Sequence, residues 1–482
     1  MPTKSPRSLA AVVMAAGLGK RLKSRRPKVL HEIAGRPVLW HVLRAAVAAK
    51  PKRLVVVVHH GREEVEEAVR SWSLRPEPVF VDQGEPLGTG HAVLAAERAI
   101  GDAADVLVLP GDEPLVTGEQ VRQMLSIHRR RDVAAVVQTT IPVDARGFAR
   151  VIRDARGEFV RLAEGTDATP EELRVTEAAT SVYVFRREDL FGALPLVTRE
   201  NRQREYYLPD VLGILHDKGE RIAVQLVDSG GSVGANSRQE LAQAAEVMRT
   251  RINERHMDAG VSIVDPATTF IGPEVRIGAD TVIHPMAFLE GTTRIGRACG
   301  IGPSARIVDS TVGDGSTVQF AVVRGSRIGR DVNVGPFASL RPDTVLEDGS
   351  KAGTFVEIKG SRVGKGSKVP HLSYVGDADI GKGVNVGAAT VTVNYDGWEK
   401  HRTVIGDDVK IGSDTMLVAP VRVGKGAMTG AGSVITKDVP PGALGIERSD
   451  QRNIEGFRAR QEDRHRAKSK GTTAGTKGKG RG

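Results

Sequence analysis

From Ile271 to Lys437 an aliphatic residue, often followed by glycine, returns at every sixth position. Ile277-Gly278, Ile283, Leu289, Ile295-Gly296, Ile301-Gly302 and Ile307 keep a strict step of six, and after one five-residue step the series resumes at Val312-Gly313. It breaks once, after Asn394-Tyr395-Asp396-Gly397, and returns with Ile405-Gly406, Ile411-Gly412, Leu417, Val423-Gly424 and Ile435. A period of six excludes a helical stripe, and plain strand alternation does not set glycine beside the same aliphatic each time. Each hexad therefore predicts a short strand and a turn, three hexads closing one triangular coil, with about nine coils in the run. The aliphatics form an inner ladder and glycine stands where a corner has no room for a Cβ. A glycine-rich low-complexity tail would lack the phased aliphatic.

At 482 residues the chain exceeds one core, and 4 % aromatic content suits a repeat filled by aliphatic side chains. No apolar run approaches the ~20 residues that cross a bilayer. Lys4 and Arg7 before Leu9–Ala16 imitate a signal peptide, but the segment runs on into Gly17-Leu18-Gly19-Lys20-Arg21 with no small-residue cleavage site, so it predicts a buried strand. Cys299 is the sole cysteine, which excludes an internal disulfide and agrees with a reducing cytoplasm. The net charge of +10 sits at the ends: residues 1–30 carry +8 and 457–482 carry +7, leaving the rest at −5. A body built for nucleic acid would not be acidic in its middle.

Before the repeat, strand and helix signals alternate: Leu9–Ala16, Leu54–Val58, Val79–Val81 and Val106–Leu109 as strands, 63–70 and 91–100 as helices. That pattern predicts a doubly wound, mostly parallel α/β sheet, whose ligands sit at the carboxyl ends of the strands. The loop after the first strand lacks the third glycine of a dinucleotide fingerprint, Leu22 standing there, and Gly19-Lys20 is followed by Arg21 rather than the Ser or Thr of a P-loop. Lys20, Arg21, Lys23, Arg25, Arg26 and Lys28 crowd cations onto it, which leaves open an anion-binding loop or a solvated basic one. Asp112 in Pro110-Gly111-Asp112 is a candidate Mg²⁺ ligand or an Asx turn, with Asn236 a candidate second oxygen. His59 and His60 lack partners at metal spacing and read as structural. Leu241, Ala244, Met248 and Ile252 make one helical stripe over 238–260, a linker helix between a domain at 1–237 and a coil at 261–456. Residues 457–482 are basic and poor in apolar side chains, which predicts a disordered tail, solubilising or loosely associated with polyanions.

Several blocks together resemble the bacterial bifunctional N-acetylglucosamine-1-phosphate uridylyltransferase / glucosamine-1-phosphate N-acetyltransferase family. They are Met14–Arg21, Pro27-Lys28-Val29-Leu30-His31, Gln83 with Leu87–Ala92, Gly111-Asp112, Glu205-Tyr206-Tyr207, Asn236, Arg341-Pro342, Phe355–Lys359, His371–Tyr374, Asn394–Gly397 and Gly412–Asp414. The resemblance implies a Rossmann-like nucleotidyltransferase followed by a left-handed parallel β-helix of hexapeptide repeats. It implies two reactions: acetyl transfer from acetyl-CoA to glucosamine 1-phosphate, then uridylyl transfer from UTP to N-acetylglucosamine 1-phosphate. By that pattern Met14, Ala15, Ala16, Gly17, Gln83, Gly88 and Thr89 face UTP or the UDP-sugar, Arg21 and Lys28 the phosphates, and Asp112 and Asn236 hold Mg²⁺. His371 is the general base of acetyl transfer, with Glu357 to orient the ring or stabilise the imidazolium that forms. Arg341, Lys359, Tyr374 and Asn385 hold the sugar phosphate, and Ala388, Asn394, Tyr395, Ser413, Ala431 and Arg448 line the CoA site. A cytoplasmic homotrimer is expected, with the acetyl site between subunits.

Two positions depart from the pattern in the sugar pocket of the first half, where Glu164 is in place. Ala149 stands where the family has glycine, and Ala179 where it has asparagine. An added methyl and a lost amide together cost about 1–3 kcal/mol of sugar binding. They keep two alternatives open: another sugar 1-phosphate as substrate, or an enzyme whose acetyltransferase half alone is fully active.

Overall fold

The computed structural model describes residues 7–142, 145, 147–228 and 234–474, and the chain divides into two compact units, Met1–Leu340 and Arg341–Gly482. The first unit opens with β1 (Leu9–Met14), the short hairpin of β2 (Glu32–Ile33) and β3 (Arg36–Pro37), α1 (Val38–Ala48), β4 (Arg53–Val58), α2 (Arg62–Ser71) and β5 (Pro78–Asp82). There follow α3 (Thr89–Ala95), α4 (Glu97–Ile100), β6 (Asp105–Pro110), α5 (Gly118–Arg131), β7 (Ala135–Thr140), β8 (Arg150–Arg153) and β9 (Phe159–Ala163). β10 (Ala178–Arg186), α6 (Arg187–Ala193), α7 (Asp210–Asp217), β11 (Ile222–Val227) and α8 (Arg238–Asp258) complete the α/β part.

The main sheet runs β11-β7-β10-β6-β1-β4-β5. β1 pairs in parallel with β4 and β6, while β10 lies antiparallel to both β6 and β7. β1 is apolar at every position because it is covered on both faces: Ala10 and Val12 enter one core, Leu9, Ala11 and Val13 the other. The chain steps from β1 to β4 and β5 on one side, then returns to β6 on the other. The crevice at this reversal lies off the ends of β1 and β6, which places the Gly17–Gly19 loop and Gly111-Asp112 at its mouth. The close approach is read at Gly111, whose amide donates to Met14 O at 2.8 Å and where a Cβ would lie 2.7 Å from that oxygen.

α8 starts at a capping box: the Ser237 hydroxyl accepts from Glu240 N, and the Glu240 carboxylate accepts from Ser237 N. Leu241, Ala244 and Met248 pack with Ile33, Val38 and Leu115. Further along, Asn253 Nδ2 donates to Pro266 O and Thr269 O, tying α8 to the first coil.

From Ser262 onward short strands wind in parallel. In the first unit Ile283, Ile301 and Val318 stack along one ladder, Leu289, Ile307 and Val323 along a second, and Ile295, Val312 and Ile328 along a third. The second unit repeats the arrangement, with Val363 and Ile380 on one ladder and Ile358 and Val375 on another. The glycines are required by stacking. A Cβ on Gly313 would lie 2.6 Å from the Gly329 carbonyl, and one on Gly364 2.4 Å from Gly381 O. Left-handed corners instead carry residues such as Met286, Phe320, Phe355, Leu372 and Asp377.

The tail departs from expectation. Residues Phe457–Ala474 form α9, while 475–482 lie outside the described residues. Lack of an apolar face predicted disorder, but Ala, Arg, Gln, Glu and Lys are strong helix formers, and Arg458 pairs with Glu462 one turn on at 3.0 Å.

Candidate active sites

The first site is built where β1 and β6 end. Ala15 N donates to Val57 O at 2.7 Å, so the chain stays in the sheet one residue past β1 before turning. Ala15 and Ala16 are buried, whereas a Cβ on Gly17 would meet open space. The protein itself does not require glycine at 17, so the room there is left for something else. Lys28 follows from a 3-10 turn whose stem lies against Gly19, where a Cβ would come within 2.7 Å of Lys28 Cβ.

Asp112 and Asn236 are far apart in sequence and meet. Ala235 N donates to Asp112 O at 2.8 Å, and Asn236 N to Glu240 Oε2 at 2.8 Å, so the capping carboxylate of α8 also fixes the asparagine. The Lys28 ammonium donates to Asp112 Oδ2 and, at 2.5 Å, to Asn236 Oδ1. Those two oxygens therefore converge on one point, already occupied by a cation. That donor set suits Mg²⁺, which keeps most of its waters and needs one or two protein oxygens. Among the described residues no three His, Cys, Asp or Glu side chains gather as a metal cluster. Glu113, next to Asp112, is buried and its carboxyl is held well above the usual range, first by burial and then by Asp112. Arg21 lies 3.8 Å from Glu240, on the same helix start. The Lys20 side chain is outside the described residues.

The segment 83–90 closes one wall. Gln83 Nε2 donates to Gly88 O at 3.0 Å, Gly90 N to Tyr206 O, and Leu208 N to Thr89 Oγ1. At Gly88 φ is +118° and a Cβ would lie 2.6 Å from Tyr206 O, so this glycine is demanded by the fold. Ala149 and Ala179 are adjacent and buried: Ala179 N donates to Ala149 O at 2.9 Å. Beside them Glu164 is pushed up to about 7, chiefly by burial, with Asp210 and Asp167 adding to it. Tyr183 is fully buried, and burial, followed by the nearby Glu164 carboxylate, pushes its hydroxyl well up. His59 pairs with Asp82 at 3.3 Å.

The second site lies in the unit that begins at Arg341. Parallel pairing sets Thr354 beside His371, Glu357 beside Tyr374, and Lys359 beside Gly376, so these side chains gather on neighbouring coils. A Cβ on Gly376 would lie 2.5 Å from Tyr374 Oη and 2.7 Å from Asn394 Nδ2, which places both over its Cα. Asn394 Nδ2 donates to Asp377 Oδ2 at 2.5 Å, and Lys359 Nζ stands 3.9 Å from the same oxygen. His371 is exposed, and its carbonyl accepts from Ser373 Oγ at 2.7 Å. The Glu357 carboxylate expected to orient this ring accepts instead from Arg341 Nη1 at 3.0 Å.

Sequence reasoning missed Lys400. Its ammonium faces that of Lys359, and the proximity of the two like charges lowers its pKa. Lys400 sits on the loop that interrupts the hexads, and Asp396 shapes that loop by accepting from Trp398 N, Glu399 N and His401 Nε2. The signal available was the break in register itself. Ala388, Ser413, Ala431 and Arg448 lie on successive coils. Asp414 N donates to Ala388 O, Gly432 N to Ser413 O, and Arg448 Nη1 to Ala431 O.

Residues 11–205 match the MobA-like NTP transferase domain, and 402–437 match the bacterial transferase hexapeptide repeat. The chain is 47 % identical over 449 residues to the bifunctional protein GlmU of Caldanaerobacter subterraneus subsp. tengcongensis, covering 93 % of this chain and 97 % of that one. The chain belongs to the bifunctional GlmU family. It is 45 % identical to the GlmU proteins of Streptomyces coelicolor, over 94 % of this chain and 95 % of that one, and of Nocardia farcinica, over 98 % and 95 %. The GlmU likeness spans both sites described above, and with it the chain is a bifunctional transferase that makes UDP-N-acetylglucosamine. No helix among the described residues is long and apolar enough to cross a membrane.

Proposed function

We propose that the two clusters carry the two transfers separately, uridylyl transfer at the Lys28–Asp112–Asn236 cluster and acetyl transfer at the cluster around His371. The single observation that supports this best is the convergence of Asp112 and Asn236 on one cation position at the mouth of the sheet.

In the first half the phosphate of N-acetylglucosamine 1-phosphate attacks the α-phosphorus of UTP, the P–O bond to the β-phosphate breaks, and pyrophosphate leaves. The nucleophile is already an anion and needs no base. The protein's task is alignment and charge, which Lys28 and Arg21 supply as fixed cations. Mg²⁺, held by Asp112 and Asn236, would neutralise charge on the transferring and leaving phosphates. Met14, Ala15, Ala16 and Gly17 give the nucleotide a close backbone approach, and Gln83, Gly88 and Thr89 form the wall against its base and ribose. Ala149, Glu164 and Ala179 face the sugar.

In the second half the amine of glucosamine 1-phosphate must lose a proton before it attacks the thioester carbon of acetyl-CoA. A solvent-facing imidazole can accept that proton, so His371 takes it and the CoA thiolate leaves. Two ammonium groups held together in the free protein make a site for an anion. Lys359 and Lys400, with Arg341, Tyr374 and Asn385, therefore hold the sugar phosphate. The column of Ala388, Ser413, Ala431 and Arg448 receives CoA with Asn394 and Tyr395. Phe355 and Leu372, 57 and 61 % exposed at successive positions of one corner, give an apolar edge for self-association, in keeping with a trimer. The working compartment is the cytoplasm, where both co-substrates are made.

The division is tested by supplying acetyl-CoA, UTP, Mg²⁺ and a panel of sugar 1-phosphates while following thiol and pyrophosphate release separately. Both signals are expected, with pyrophosphate release dependent on the N-acetylated sugar. Thiol release without pyrophosphate for any sugar would mean that Ala149 and Ala179 have cost the first half its acceptor.

A further inference from the structure

The Lys28 ammonium does not wait in open solvent. It lies between Asp112 Oδ2 and Asn236 Oδ1, with the Lys28 and Asp112 side chains only 12 and 22 % exposed. Its backbone is fixed on both sides. Leu30 N donates to Pro27 O at 2.9 Å, Pro27 packs where Gly61 has no Cβ, and Lys28 Cβ rests where Gly19 has none. What remains free to move is the side chain beyond Cβ, which runs from the glycine-rich loop to the carboxylate. The oxygens are equally fixed: Ala235 N holds Asp112 O, and Glu240 holds Asn236 N.

We propose that in the free protein Lys28 plugs the divalent-cation position, so that the metal enters only with a triphosphate that draws the ammonium away. The proposal rests on the reading of Asp112 and Asn236 as metal ligands. An ammonium and a dication cannot both occupy the one point on which these two oxygens converge, and in a partly desolvated site their mutual repulsion opposes sharing it. A triphosphate offers several negative charges against the single charge of Asp112, and Lys28 can reach it by rotating its own side chain. The lysine thus serves two anions in turn. Without nucleotide, a bare metal finds its position filled.

The test uses Mn²⁺ alone on the full-length chain, with binding read from loss of the free aquo-ion signal in electron paramagnetic resonance. Lys28→Met is expected to bind Mn²⁺ at least about tenfold more tightly than wild type without nucleotide, and a second change, Asp112→Ala, is expected to remove the gain. Lys28→Gln, which keeps a donor but no charge, is expected to fall between them and serves if the methionine variant does not fold. Equal Mn²⁺ affinity in wild type and both Lys28 variants, still abolished by Asp112→Ala, overturns the plug and leaves the metal site standing. Binding that survives Asp112→Ala overturns the ligand assignment and the plug with it.

Discussion

At the end of β1 and β6 the charged groups are already paired, Lys28 with Asp112 beside the Asn236 amide and Arg21 near Glu240. Around His371 the balance is unfinished: Lys359 and Lys400 face each other with Asp377 as the nearest acid. The difference follows from architecture. A crevice between two buried strands desolvates its side chains, and a charge there must be paired. On the coil Lys400 is exposed to water, so its ammonium stays beside that of Lys359 at small cost until a ligand arrives. The nucleotide site is therefore expected to exchange partners on binding, and the acetyl site to gain one.

Separate substitutions should break the comparison if it is false. Asp112→Ala is expected to lower uridylyl transfer at least about a thousandfold while acetyl transfer is untouched. Equal loss in both assays would mean that the sites are not separate. His371→Ala should do the reverse, cutting thiol release about a hundredfold or more and leaving pyrophosphate release from N-acetylglucosamine 1-phosphate intact. Full acetyl transfer by that variant would make the histidine a bystander.

Smaller effects sharpen the contrast. Glu164 is neutral in the folded protein up to about pH 7, against an ordinary value of 4.5, so the folded state holds its proton more tightly. Its contribution to stability is full below pH 4.5 and is lost as pH rises through 7, a fall of about 3 kcal/mol at most. Denaturant midpoints at pH 5 and pH 8 should converge in Glu164→Gln. Lys400→Ala should raise KM for glucosamine 1-phosphate about tenfold with kcat little changed, and added salt should blunt the difference. Ala179→Asn, restoring an amide beside the first sugar pocket, should lower KM for N-acetylglucosamine 1-phosphate by up to about tenfold. An unchanged KM would remove residue 179 from the sugar contacts.

Much of this was legible in the letters, for reasons that differ by region. The coil could be read because its glycines are set by contact between stacked backbones, and that contact recurs with the hexad. Alternation could not show that β10 runs against its neighbours, since strand direction leaves no mark on composition. Asp112 and Asn236 were named together, but their meeting with Lys28 depends on side chains 84 and 208 positions apart from it. Glu357 was expected beside His371, whereas its carboxylate accepts from Arg341, on the coil before. Lys400 was hidden by the loop's irregularity. In α9 helix propensity outweighed the lack of anything to bury.

The loop between Val393 and Thr403 leaves the coil and rejoins it in register, Thr403 pairing with Ala378 and Ile405 with Ile380. Added length at this place is thus invisible to the layers above and below, and longer excursions raise the closure penalty only logarithmically. Such an edge is a docking port for grafts. New recognition segments can be inserted there without renegotiating the scaffold that carries them.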